Sequence, residues 1–187
     1  MKKIALLTLT LASMAALTSC SLFSSKKKVS AADFNKVLAK IEVYYYNTAV
    51  VKYTEKVTGT GYYKDKTKTT SATIEYTNYD GVWYTTSTDS CAESMGEMLY
   101  SIRGRTYPEI NNSKQTVTYY TNPLTIVNKT NQTAVGITVT TDETDTFNKY
   151  GYITKISYKG VETVSKNYYP DSAGKITDTM NISVSYK

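Results

Sequence analysis

The chain has 187 residues, 41% of them hydrophobic and 19 of them tyrosine, with a formal charge of +6 and no histidine. That length suits one domain of ordinary size with a core of its own. The missing imidazole removes Ser-His and Cys-His catalysis, argues against a metal site of the zinc type and points away from an enzyme. The positive excess is scattered lysine, with Arg103 and Arg105 the arginines able to grip phosphate bidentately, which argues against nucleic acid.

Lys2 and Lys3 precede an apolar run over residues 4–17, too short to cross a bilayer permanently and patterned as an export signal. The run closes on Leu17-Thr18-Ser19-Cys20. This ending resembles the bacterial lipoprotein signal, the lipobox, in which a Leu, two small residues and Cys close the apolar segment. The resemblance implies that Cys20 receives a diacylglyceryl thioether, that residues 1–19 are cut away, and that the new N-terminus is often acylated as well. It places the chain in the cell envelope, lipid-anchored to a membrane and facing the extracytoplasmic side. Two acyl chains meet the requirement for stable anchoring, each buried methylene contributing about 0.8 kcal/mol. A chance cysteine after a signal peptide, or at the end of a short membrane helix, is the plain alternative. Residues 20–29 read as a lipidated tether, small, polar and basic, with Lys26-Lys27-Lys28 either solvated or touching anionic headgroups. Cys91 is the second cysteine, so the mature chain has no internal disulfide.

Residues 30–187 are expected to form a single sheet-dominated binding domain. Ser30 and Asp33 form a capping box, and Phe34, Val37, Leu38 and Ile41 fall on one face of a helix expected over residues 31–43. Its polar face carries Asp33, Lys36, Lys40 and Glu42 without basic bias, so it is expected to pack on a sheet rather than lie on a membrane. Residues 44–57 turn to β-rich composition, a second strand spans residues 69–79, and Asp80-Gly81 is a two-residue hairpin turn leading into residues 82–85. Cys91, Met95, Met98, Leu99 and Ile102 line one side of a helix expected over residues 90–103, ended by Gly104. Strands then follow at residues 115–120, 124–128 and 133–141, with turns at Asn122-Pro123 and over residues 128–132. A hairpin over residues 146–158, a reversal at Lys159-Gly160, a strand over residues 161–168 and a last strand ending at Tyr186 complete the chain. Asp142-Glu143-Thr144-Asp145 lacks the spacing of a calcium loop and reads as an acidic hairpin turn.

With no βαβ alternation, the fold class is α+β: an antiparallel, curved, half-barrel-like sheet with two packed helices. The element order and the hairpin Phe147-Asn148-Lys149-Tyr150-Gly151-Tyr152-Ile153-Thr154-Lys155-Ile156 resemble the LolA/LolB-type lipoprotein carriers of the periplasm. That resemblance implies acyl chains held between sheet and helices, with Phe34, Val37, Leu38, Ile41, Met95, Met98, Leu99 and Ile102 as ligand-pocket candidates. The departure is the wealth of tyrosine, whose hydroxyls need partners when buried. No cofactor and no catalytic residue is expected. The partners expected are a membrane, reached through Cys20, and a lipid or other apolar ligand. The alternative is a surface module that holds protein or glycan through exposed tyrosines such as those at Tyr62-Tyr63, Tyr119-Tyr120 and Tyr168-Tyr169, of which at most one per pair can share a face.

Overall fold

The computed structural model describes residues 26–187. The expected lipobox, Leu17 to Cys20, lies outside the described residues. Among the described residues nine strands form one open sheet in which every neighbouring pair is antiparallel. In chain order these are β1 (Lys28–Val29), β2 (Thr48–Gly61), β3 (Lys68–Tyr79), β4 (Val82–Tyr84), β5 (Gln115–Thr121), β6 (Leu124–Ala134), β7 (Ile137–Phe147), β8 (Ile153–Val164) and β9 (Gly174–Tyr186). In space they run β1-β5-β6-β7-β8-β9-β2-β3-β4. Two short helices, α1 (Ala31–Leu38) and α2 (Ala92–Glu97), pack on one face of this sheet, which we call the inner face. Among the described residues no helix is long and apolar enough to cross a membrane.

Alternation builds the core. Val51 and Tyr53 of β2, Ile74 and Tyr76 of β3, Ile182 and Val184 of β9 and Ile156 of β8 all point inward and are buried, meeting Phe34, Leu38 and Leu99. Ser30 caps α1 by accepting the Asp33 amide at 3.1 Å, while its hydroxyl donates to the Asp33 carboxylate at 3.1 Å. Asp33 thus grips the cap's hydroxyl rather than its amide.

Both helices are shorter than the apolar spacing predicts. α1 stops at Leu38, whose carbonyl accepts the Gly104 amide at 3.1 Å, and the aromatic run from Tyr44 to Tyr46 leaves to join a ring cluster. α2 stops at Glu97 because the chain beyond is held elsewhere: the Ile102 amide donates to the Gly151 carbonyl at 2.9 Å and the Ser101 hydroxyl to the Tyr150 carbonyl at 2.6 Å. Backbone groups bonded to the β7–β8 hairpin cannot also close a helical turn.

The strands correct three expected turns. The expected turn over residues 128–132 lies inside β6, and the chain reverses instead at Val135-Gly136, both at positive φ (39° and 79°). Lys159-Gly160 is not a reversal, since β8 runs on to Val164 with Gly160 opposite Thr141 and Asp178. A Cβ on Gly160 would stand 2.4 Å from the Tyr158 hydroxyl, so the glycine makes room for a neighbouring ring. Asp142 to Asp145 lie in the middle of β7 rather than in a turn. The hairpin at Asp80-Gly81 is as expected, with φ of 53° and 86°.

Candidate functional site

Strand register lays the inner face out in rows. One row crosses the sheet as Val29, Tyr119, Ile126, Asp145, Ile156, Ile182 and Tyr53, a carboxylate in a line of apolar and aromatic side chains. The next row runs Val117, Asn128, Glu143, Tyr158, Met180 and Glu55. Because β7 alternates strictly, Glu143 and Asp145 share the parity of buried Phe147, while Thr138, Thr140, Asp142, Thr144 and Thr146 take the other face.

A cavity of about 410 Å³ opens over these two rows. Its floor is β5 to β8, with Val117, Tyr119, Ile126, Asn128, Glu143, Asp145, Phe147, Ile153 and Ile156. Its cover is the segment over residues 98–110, contributing Met98, Tyr100, Ile102, Arg105, Tyr107, Pro108 and Ile110. That cover is fastened to α1. Asn35 donates from Nδ2 to the Tyr107 carbonyl at 2.8 Å and accepts the Tyr107 amide at 2.9 Å on Oδ1. Glu109 accepts the Ala31 amide at 3.0 Å, which joins the cover to the helix's first turn. The Tyr119 hydroxyl donates to the Pro108 carbonyl at 2.7 Å, tying floor to cover, and the Phe34 ring lies 5.0 Å from that of Tyr119.

The electrostatics are unusual for so apolar a chamber. Burial, then the charge and shared hydrogen bond of Glu143, pushes the Asp145 carboxyl up to about 7. Its Oδ1 is buried without a hydrogen-bond partner. Arg105 lies over the Tyr100 ring at 4.0 Å, and no ion pair joins it to Asp145 or Glu143 among the described residues. Burial also raises Tyr107 and Tyr119. Further along the inner face, Asp178 carries a second buried and unpartnered Oδ1, and burial and then Glu55 hold its carboxyl above the usual range. No grouping of three His, Cys, Asp or Glu side chains suited to a metal ion occurs among the described residues.

The pocket candidates named from helical spacing separate into three sets. Met98, the C-cap of α2, and Ile102, beyond the end of that helix, line the cavity. Phe34, Leu38 and Leu99 are wholly buried and Met95 nearly so, as core beside the cavity. Val37, which is exposed, and Ile41, which is buried in the core, border a separate shallow hollow with Lys40 and Tyr150. The carboxylates and the floor residues Tyr119, Ile126, Ile153 and Ile156 were not singled out by helical spacing. Apolar alternation lapses over residues 140–146, and only strand parity carried from Ile137 and Val139 through to Phe147 places Glu143 and Asp145 on the inner face.

Aromatic side chains form a second feature at one end of the sheet. Tyr44 stacks on Tyr150 at 4.3 Å and Tyr46 on Tyr186 at 4.7 Å, with Tyr152 edge-on to Tyr46 at 5.2 Å. Beside this cluster, Tyr45, Tyr46, Asn47, Asn78 and Tyr79 border an open depression in which Tyr45 and Tyr79 are well exposed. Of the tyrosine pairs, Tyr119 is buried, Tyr63 donates to Glu162 at 3.2 Å, and Tyr62 and Tyr168 are exposed.

Compared with known proteins, the chain matches no family model and no curated protein.

Proposed function

We propose that this chain is a membrane-anchored, extracytoplasmic lipoprotein whose domain has a non-catalytic binding role. Its sheet curls, half-barrel-like and in the manner of the LolA/LolB-type carriers, around a lipid or other small apolar ligand. The observation that carries this reading is the cavity of about 410 Å³ between the sheet and the 98–110 segment. Such a volume falls in the range of small-molecule sites, and its walls combine many apolar side chains with a few convergent polar ones, the usual make-up of a binding pocket. The lipobox ending at Cys20 supports the anchor, and the absence of histidine supports a binding role over hydrolysis.

Two measurements test it. Full-length protein extracted from membranes should carry a near-stoichiometric small molecule in native mass spectra. Ile126→Trp, which fills the chamber from its floor, should lose that molecule while retaining a cooperative melt. A clean mass for the parent protein, with no uptake of added lipid, would refute the pocket. Cys20→Ser should abolish the acyl mass and release the chain from the membrane.

A second reading rests on the depression at Tyr45, Asn47, Asn78 and Tyr79, where exposed rings stand beside amide groups. That combination suits stacking on a sugar face with hydrogen bonds to its hydroxyls, and it favours a glycan-holding surface if the cavity proves empty.

A further inference from the structure

Resting on that cavity reading, we propose that the ligand is an amphipathic amine: an apolar body against Ile126, Phe147 and Ile153, with a primary or secondary ammonium donating N–H to Asp145 and Glu143. Asp145 stands between Ile126 and Ile156 across its two neighbouring strands, and neither can donate a hydrogen bond. Its buried Oδ1 has no partner. A buried acceptor left unmade is costly, and native interiors tolerate few of them. Among the described residues no lysine or arginine is ion-paired with Asp145 or Glu143. Arg105 lies on the Tyr100 ring at 4.0 Å, and Lys129, one strand away, pairs with Asp142 at 2.7 Å on the outer face. The Tyr119 hydroxyl donates to Pro108 and so is not spent on the acid. Asn128 and Tyr158 stand opposite Glu143 on its neighbouring strands and can serve that carboxylate, so the acceptor left without a partner in a chamber with room for a donor is Asp145 Oδ1.

The chemistry of the donor follows from the walls. Tyr107 and Tyr119 present aromatic rings to the same chamber, and such faces attract an ammonium. A quaternary ammonium has no N–H and would leave Oδ1 unmade. Near pH 8, where Asp145 is ionised, a fatty acid or a phosphate would set a third negative charge beside Glu143 and Asp145. An alcohol supplies one donor and no charge, so it satisfies one oxygen and leaves the carboxylate uncompensated. A protonated primary or secondary amine meets both demands, and its alkyl or aryl remainder matches the isoleucine and phenylalanine walls.

The test uses the full-length protein and three eight-carbon probes, octylamine, octanol and octanoate, titrated calorimetrically near pH 8 below their aggregation limits. Octylamine should bind about tenfold to a hundredfold more tightly than octanol, the margin of a hydrogen bond to a charged group over a neutral one. Octanoate should bind more weakly than either. Asp145→Asn should bring octylamine down to the level of octanol, Glu143→Gln should remove part of the margin, and Ile126→Trp should abolish both. If octylamine and octanol bind equally and Asp145→Asn changes neither, the amine assignment is wrong and the cavity reading stands. If neither binds the parent protein, the cavity reading fails and takes the assignment with it.

Discussion

Replacing Asp145 by Asn keeps the side chain's size and removes its acid, which isolates the electrostatic cost of a carboxyl set in an apolar row. Burial first, and Glu143 second, lift that acid to about 7. A value raised in the folded state leaves the protein's stability whole below the unfolded value and erodes it as pH climbs toward 7, because the unfolded chain gives up the proton first. The gap between about 7 and the ordinary aspartate value of about 3.9, at about 1.4 kcal/mol per tenfold step, sets a ceiling of about 4 kcal/mol. Solvent reaching the open chamber screens the charge, and a loss of about 2 kcal/mol by pH 8 is the working figure. Urea unfolding at pH 4 and pH 8 reads it directly. Asp145→Asn should be more stable relative to the parent at pH 8 than at pH 4 by about 2 kcal/mol. Glu143, which faces Asp145 along β7, shares in the titration; Arg105 and Tyr107 face the chamber from the cover. A relative stability that does not change between the two pH values, or that falls at pH 8, would mean that the carboxylate is ionised and compensated by the protein itself.

Three further outcomes follow from the packing. Val135 holds φ of 39° beside Gly136 at 79° in the β6–β7 turn, where asparagine suits the conformation and a β-branched residue does not. Val135 is 73% exposed, so Val135→Asn gives up no core and should raise the urea midpoint by about 1 kcal/mol of stability with an unchanged slope. Leu99→Ala empties a wholly buried position and should cost about 2–5 kcal/mol in the same assay. Tyr76→Phe removes the 2.6 Å hydrogen bond to the Ala92 carbonyl that holds α2 to β3, and a loss of about 1–3 kcal/mol should appear as a lowered thermal midpoint.

Local chemistry made part of this molecule legible. Ser30 caps α1, Asp80-Gly81 turns β3 into β4, and alternation from Met180 to Tyr186 marks β9, each set by residues within a few positions of one another. The helix ends were not legible for the opposite reason: Leu38 and Ile102 are claimed by Gly104 and Gly151, contacts across tens of residues that helical spacing cannot register. Thr and Asn in β6 read as turn residues on propensity, but pairing with β5 and β7 overrides that preference. The cavity's acids were hidden by a similar conflict. Four consecutive polar residues, Asp142 to Asp145, suggest solvent, while the register of β7 sends two of them inward.

The position of β9 in the sheet has a consequence for how the fold is reached. Strands β5 to β8 form one antiparallel run and β2 to β4 another, and residues 174–186 are what pairs with both, with β8 on one side and β2 on the other. Until that segment emerges, the polypeptide holds two separate sheets, each with a long unpaired margin. Joining them brings residues more than 100 positions apart into register, as with Val51 and Val184, an ordering step whose entropy must be met before most of the core exists. The nascent chain is therefore held back from completing its sheet by its own topology, and the open margins of β2 and β8 are where a holding chaperone or a misplaced neighbour would dock.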